Sequence, residues 1–120
     1  MGPIEQLDFG PPKRLHQAAE FRAVRLGGKR VADGLFSLSV LANDQPHARL
    51  GLAISTRTFG SAVARNRIKR LTRESFRMNQ HVLPCVDITV SARDAARAAV
   101  TADLCASLDK HWKSIAKRWG

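Results

Sequence analysis

Arg65-Asn66-Arg67-Ile68-Lys69-Arg70-Leu71-Thr72-Arg73-Glu74-Ser75-Phe76-Arg77 sets six basic side chains against one acid and still keeps a helical spacing of apolar residues. At about 100° per residue, Ala64, Ile68, Leu71, Ser75 and Met78 fall in a narrow stripe, and Asn66, Lys69, Arg70, Arg73 and Arg77 gather on the far side. The spacing predicts a helix, N-capped by Ser61, that packs one face and turns the other to solvent. Solvated helix faces usually mix signs, because acid–base pairs four residues apart stabilise them; Arg65, Lys69, Arg73 and Arg77 instead form a row of one sign. Such a row repels itself unless an anion lies near, so the helix points to a polyanionic partner.

The segments on either side of this helix alternate like strands. Before it, Leu50, Leu52 and Ile54 alternate with Arg49, Gly51, Ala53 and Ser55; after it, beyond Leu83-Pro84, Val86, Ile88 and Val90 alternate with Asp87, Thr89 and Ser91. Leu35 to Leu41 alternates as well, with Phe36, Leu38 and Val40 on one face, and Asn43-Asp44-Gln45-Pro46 turns it back as a hairpin. A short helix is expected from His16 to about Leu26, ended by Gly27-Gly28, with the charges of Lys29-Arg30 just past it. A last helix follows a Thr101 cap and places Leu104, Leu108, His111, Trp112, Ile115 and Trp119 on one side. The order is therefore αββαβα, an α+β fold of two layers. Residues 1–12, with Gly2, Pro3, Gly10, Pro11 and Pro12, read as a flexible arm, and 13–120 as a single domain.

Composition narrows the function. The chain has 120 residues, 44% of them apolar, enough for a core without disulfides or metals. Its net charge of +10 favours nucleic acid over other partners. The basic helix lacks the Trp- or Leu-rich face of a membrane-surface helix, and no stretch has the length of a spanning one. Met1 to Pro12 carries Glu5 and Asp8 and has no basic segment followed by an apolar one, so a cytoplasmic protein is expected. Cys85 and Cys105 form no CxxC pair and are expected to be reduced core thiols. His16, His47, His81 and His111 have no ligand spacing, Asp87 and Asp94 show no sign of shared burial, and neither GxSxG nor a Gly-rich phosphate loop occurs. No protein-borne catalytic group or bound cofactor is expected.

Asn66 and Arg67 stand where the basic helix begins, so side chains and free backbone N–H groups can converge on phosphate there. Aromatic side chains hold single-stranded RNA by stacking. Phe21, among Arg14, Arg22 and Arg25, is a candidate for that role; Phe36 lies on an apolar strand face, and Trp112 and Trp119 follow the core side of their helix.

The run Ala64-Arg65-Asn66-Arg67-Ile68-Lys69-Arg70-Leu71, continued through Arg73 to Arg77, closely resembles the RNR signature of the bacterial ribonuclease P protein subunit. The resemblance extends to Arg14-Leu15, Glu20-Phe21 and Val24, to Arg49–Ser55, to Asn79–Pro84 and to the strand Asp87–Ala92, leaving only the N-terminal arm outside. It implies a protein, monomeric when free, that assembles with a large catalytic RNA and promotes removal of the 5′ leader from precursor tRNA. The chemistry would proceed at Mg²⁺ held by the RNA. By the same resemblance Arg65, Asn66, Arg67, Lys69, Arg70, Arg73 and Arg77 would face the catalytic RNA. Arg14, Phe21, Arg25 and Phe36 would line a cleft for the leader, and the sheet would be small and mixed, with a left-handed βαβ crossover.

Two positions depart from the family pattern. Arg25 stands where many members carry a second aromatic beside the cleft, and Ser39 where some carry Tyr, so leader binding would lean on charge more than stacking. The competing reading is an rRNA-binding or RNA-chaperone protein with no processing role, against which the RNR string itself argues.

Overall fold

The computed structural model describes residues 10–55 and 60–120, so most of the expected N-terminal arm lies outside the described residues. The chain runs α1 (Ala18–Gly27), β1 (Lys29–Ala32), β2 (Phe36–Ala42), β3 (Arg49–Leu52), α2 (Ala62–Asn79), β4 (Val86–Ala92) and α3 (Thr101–Trp119), with 3-10 turns at Pro11–Lys13, Gln80–Val82 and Asp94–Arg97.

Alternation decides the sheet. It has the order β1-β2-β4-β3, with β2 antiparallel to both neighbours and β3 parallel to β4. Parallel neighbours need a crossover, and α2 supplies it. Register lines up Val40 and Leu50 on either side of Ile88, so the apolar residues of three strands share one face. That face is covered by α2 and α3: Ile68 and Phe76 from the first, Leu104, Leu108, Trp112 and Ile115 from the second, all buried. Phe76 meets Trp112 edge to face, centroids 5.9 Å apart at 74°, and the Trp112 indole N–H donates to Ser75 Oγ at 2.8 Å, which satisfies its one polar atom.

The fold class is the α+β sandwich expected, with one strand more than the alternation marks. Lys29–Ala32 pairs with β2 from Lys29↔Val40 to Ala32↔Ser37 and forms an edge. Its side chains are largely exposed, so no apolar rhythm announces it. At the opposite edge Arg14 forms a single parallel bridge to Leu50, and Leu15 N–H donates to the Leu50 carbonyl at 3.0 Å. The alternation also does not place α1, which lies across the sheet's second face and buries Val24 there. Where α1 turns into β1, a Cβ on Gly28 would sit 2.4 Å from the Val24 carbonyl oxygen and 2.6 Å from that of Val40, so only glycine fits.

Four expectations need correction. The strands joined by Asn43–Pro46 are not hairpin partners: β4 lies between β2 and β3, antiparallel to the first and parallel to the second. The buried row of α2 is Ile68, Thr72 and Phe76 rather than the line through Leu71, Ser75 and Met78; Met78 is 48% exposed. Phe76 brings the largest side chain inward, and Thr72 can follow because its hydroxyl donates to the Ile68 carbonyl at 2.8 Å. Helix α3 begins one residue earlier than expected, with Val100 at the cap position and Thr101 already helical. Cys85 is exposed and Cys105 half-buried, both free thiols, so neither is a core residue.

Asp33, in the β1–β2 turn, ties that hairpin to α3. Its carboxylate accepts from the backbone N–H groups of Leu35 and Phe36, both at 2.9 Å, and from the Ser107 hydroxyl. His111 Nε2, nearly buried, lies 3.3 Å away without the alignment of a hydrogen bond. Burial alone pushes the Asp33 carboxyl up, but the hydrogen bonds from Ser107, Phe36 and Leu35, with His111 beside them, outweigh it and bring the pKa from 3.8 down to about 2. A carboxyl held below its unfolded value stabilises the fold above that value and loses the contribution as pH falls. Between about pH 4 and pH 2 the protein should lose roughly 2 kcal/mol through this group. Denaturant titrations across that window should show the loss, and Asp33→Asn should remove most of it; an unchanged slope in the variant would assign the loss elsewhere.

Candidate nucleic-acid interface

Helix α2 opens with Ser61 Oγ accepting the Ala64 N–H at 3.2 Å, which leaves its remaining early N–H groups at the surface beside Asn66 and Arg67. Because the buried row runs through Thr72, Asn66, Arg67, Arg70 and Arg73 are exposed, while Arg65 and Lys69 are half-buried along one flank. Burial pulls the Lys69 ammonium below its ordinary value, and its like-charged neighbours Arg65 and Arg73 pull it further. The self-repulsion expected from the sequence is thus visible at Lys69. Arg65 Nε is buried without a hydrogen-bond partner among the described residues, an uncommon state for a donor. Arg67 Nη2 donates to Thr101 Oγ1 at 2.9 Å and so reaches the start of α3. Arg77 is forked onto Glu74, its Nε at 3.1 Å from Oε2, which partly neutralises the last turn of the row. Asn66, Arg70, Arg73 and Arg77 share one polar hollow of about 300 Å³ with Glu74.

A second site lies on the other face of the sheet. Alternation that buries Leu38, Val40, Ile88 and Val90 turns Ser37, Ser39, Thr89 and Ser91 the opposite way, where α1 covers them incompletely. Those hydroxyls floor a cleft of about 450 Å³ whose charged wall is Arg25 and Arg30. Arg30 is steered by its Nε, which donates to Ser37 Oγ at 2.9 Å. Helix α1 is held above this floor by Arg49. Its guanidinium grips Asp87 through two bonds, Nε to Oδ1 at 2.8 Å and Nη2 to Oδ2 at 2.7 Å, and reaches Glu20 of α1 at 3.3 Å. Glu20 also accepts from the backbone N–H groups of His16 and Gln17, and these bonds lower its pKa.

The structure sorts the predicted site residues. The α2 set shares one helix, though Arg65 and Lys69 sit partly inward. Arg25 lines the cleft, and Ser39, the other departure from the family pattern, lies in the same cleft. Phe21 sits half-buried next to it with its ring over Gly51: a Cβ there would lie 2.6 Å from the ring, so glycine gives Phe21 its seat. Arg14 lies exposed at the β3 edge. Phe36 does not line the cleft. It is fully buried on the opposite sheet face, where the alternation of β2 puts it. Residues not singled out from the sequence are Arg30, Ser37, Thr89 and Ser91. Their signal was present in the polar half of each strand, which reads as a solvated face until α1 is placed over it.

The described residues gather no group of three or more His, Cys, Asp or Glu side chains able to hold a metal ion. Glu20, Asp33, Glu74 and Asp87 are all engaged by cations or hydrogen-bond donors.

The sequence matches the Ribonuclease P family over residues 9–116. It is 40% identical over 118 residues to the ribonuclease P protein component of Methylococcus capsulatus, covering 97% of this chain and 92% of that one. The fold superposes on the RNase P protein of Staphylococcus aureus with a TM-score of 0.81 at 34% identity, covering 90% of this chain and 98% of the other. On the Thermotoga maritima RNase P protein, solved with 1-(4-fluorophenyl)-2-thiourea, the TM-score is 0.79 at 30% identity, covering 85% and 99%.

An anion seated on α2 should relieve the repulsion at Lys69. Its pKa should rise when sulfate or phosphate is added, by more than that of the exposed Lys113, and ¹⁵N-detected titration of the lysine ammonium groups reads this directly. Equal shifts at both lysines would show general screening rather than a bound anion.

Proposed function

Because the chain belongs to the bacterial ribonuclease P protein family, we propose that it is the protein subunit that assembles with a catalytic RNA and supports removal of the 5′ leader from precursor tRNA. The observation that carries this reading is the like-charged row of α2. A lysine held below its ordinary pKa by burial and by two neighbouring arginines, next to a buried guanidinium N–H with no partner among the described residues, suits an anion with several phosphates. In this reading Asn66, Arg67, Lys69, Arg70 and Arg73 grip the RNA backbone, with Arg65 and Arg77 at the ends of the row. Such contacts position without reading sequence.

The cleft under α1 takes the single-stranded leader. Arg25 and Arg30 meet its phosphates, the strand hydroxyls offer hydrogen bonds to sugar and phosphate oxygens, and Phe21 supplies one aromatic face. With Phe36 buried and Arg25 in an aromatic position, charge dominates over stacking here. Mg²⁺ for the hydrolysis belongs to the RNA in this reading, in keeping with the engagement of Glu20, Asp33, Glu74 and Asp87 by cations or hydrogen-bond donors. The setting is cytoplasmic, in keeping with free thiols at Cys85 and Cys105 and no described helix long and apolar enough to cross a membrane.

A bacterial ribonuclease P RNA, assayed at low Mg²⁺ on a precursor tRNA with a 5′ leader, should cleave at the mature 5′ end when this protein is added. Replacing Arg65, Asn66 and Arg67 together with Ala should abolish the gain. RNA binding with no gain in cleavage would favour a general RNA-binding protein instead. In the same assembly Arg25→Ala should weaken binding of substrates that carry a leader, lower the slope of log K against log salt by about one, and leave leaderless tRNA unaffected. An unchanged slope would remove Arg25 from the leader site.

A further inference from the structure

Between α2 and α3 runs a groove of about 700 Å³ that neither the basic row nor the leader cleft accounts for. The two helices lie side by side with their starts together, as the Arg67–Thr101 and Ser75–Trp112 hydrogen bonds show. Thr101, Cys105 and Asp109, four residues apart on α3, are too small to close the seam, so Leu71 and Met78 of α2 remain as an apolar wall facing the Cys105 thiol. Met78 is the α2 residue that the sequence places inward and the structure leaves 48% exposed. Chemistry differs along the length. Arg67 and Arg70, cations of α2 outside the four-residue-spaced row, line the groove along with Glu74, whereas Asn79 and Asp109 line it with acceptors. One of the two Asn79 side-chain N–H donors goes to the Ser75 carbonyl at 2.8 Å, and the amide oxygen is left to accept in the groove that Asp109 also lines.

We propose that this groove receives one unstacked nucleobase of the RNA partner, a guanine, which rests on the RNA-binding reading of α2. Phosphate alone has no use for an apolar wall, and the cations on the rim disfavour a basic peptide. A base has both parts: a flat face for Leu71 and the polarisable thioether of Met78, and an edge for hydrogen bonding. The acceptors ask for an edge that donates twice, and guanine N1–H and N2–H provide it, while Arg67 and Arg70 take the flanking phosphates.

The test uses the ribonucleoprotein formed with a bacterial ribonuclease P RNA and a Cys85→Ser variant, whose remaining thiol is Cys105. Bound RNA should slow alkylation of Cys105 by N-ethylmaleimide, and prior alkylation should weaken RNA binding about tenfold, the effect of losing one stacked base, with the salt slope unchanged. Equal alkylation rates with and without RNA, or unaltered affinity after alkylation, would overturn the proposal. So would a lower slope, because it would mean that phosphate contacts were lost. RNA with inosine scattered in place of guanosine, which lacks the 2-amino donor, should show a position where substitution weakens binding of the wild-type protein and not of Asp109→Ala. Absence of any such position would exclude guanine. Arg73→Ala, outside the groove, reports separately on the basic row: if it weakens binding and lowers the slope while alkylation does nothing, the α2 interface stands and the groove proposal falls.

Discussion

The grip of Arg49 on Asp87 is the contact around which the second face of the sheet is organised. One guanidinium on β3 makes a two-bond fork with a carboxylate on β4 and reaches Glu20 on α1. Asn43 joins from the β2–β3 turn, its Nδ2 donating to Asp87 Oδ1 at 2.8 Å. The side chains of Arg49 and Asp87 are only 20% and 10% exposed, so salt screens them less than a surface pair, and each would be costly to leave alone. Geometry matters more here than net energy. The fork fixes a plane, and through Glu20, which also caps α1, it fixes where that helix starts and how it crosses the strands. The width of the cleft follows from that crossing.

The two sheet faces solve different problems with one alternation. Val40, Ile88 and Leu50 form an apolar row that α2 and α3 cover completely. Ser39 and Thr89, paired in register on the reverse side, turn hydroxyls toward α1, Ser39 half-buried and Thr89 buried. A face that would be merely solvated in another protein becomes a floor of hydroxyls beneath two arginines. Helix α2 shows the same economy, since its buried Ile68-Thr72-Phe76 row secures the core while the residues between them carry the charge.

Much of this was legible in the sequence because it is local. Period-two alternation marks β2, β3 and β4, and an N-cap with a 3.6-residue rhythm marks α2. What the sequence hid is non-local. Strand β1 holds Lys29, Arg30, Val31 and Ala32, a segment with little burial of its own that becomes a strand only because β2 offers an edge. The phase of α2 was misjudged by one step because Thr72 looks like a surface residue until its hydroxyl is seen to bond within the helix. Phe36 is the instructive case. Its strand pattern placed it inward and the family resemblance placed it in the cleft; the pattern was right, because a side chain cannot change sheet face without a shift of register.

The bridge between Arg14 and Leu50 has a consequence for solution behaviour. A sheet presents two rows of backbone donors and acceptors at its borders, and an uncovered border invites another chain to add on as a further strand. At one border β1 is short and carries two cations, which repel a like-charged copy. At the other, β3 is equally short, its one cation, Arg49, is turned onto Asp87, and the segment around Arg14 and Leu15 occupies the border. The N-terminal segment therefore acts as a built-in stopper, and a chain shortened past Leu15 would expose an adhesive border, prone to self-association before any loss of its RNA-facing surface.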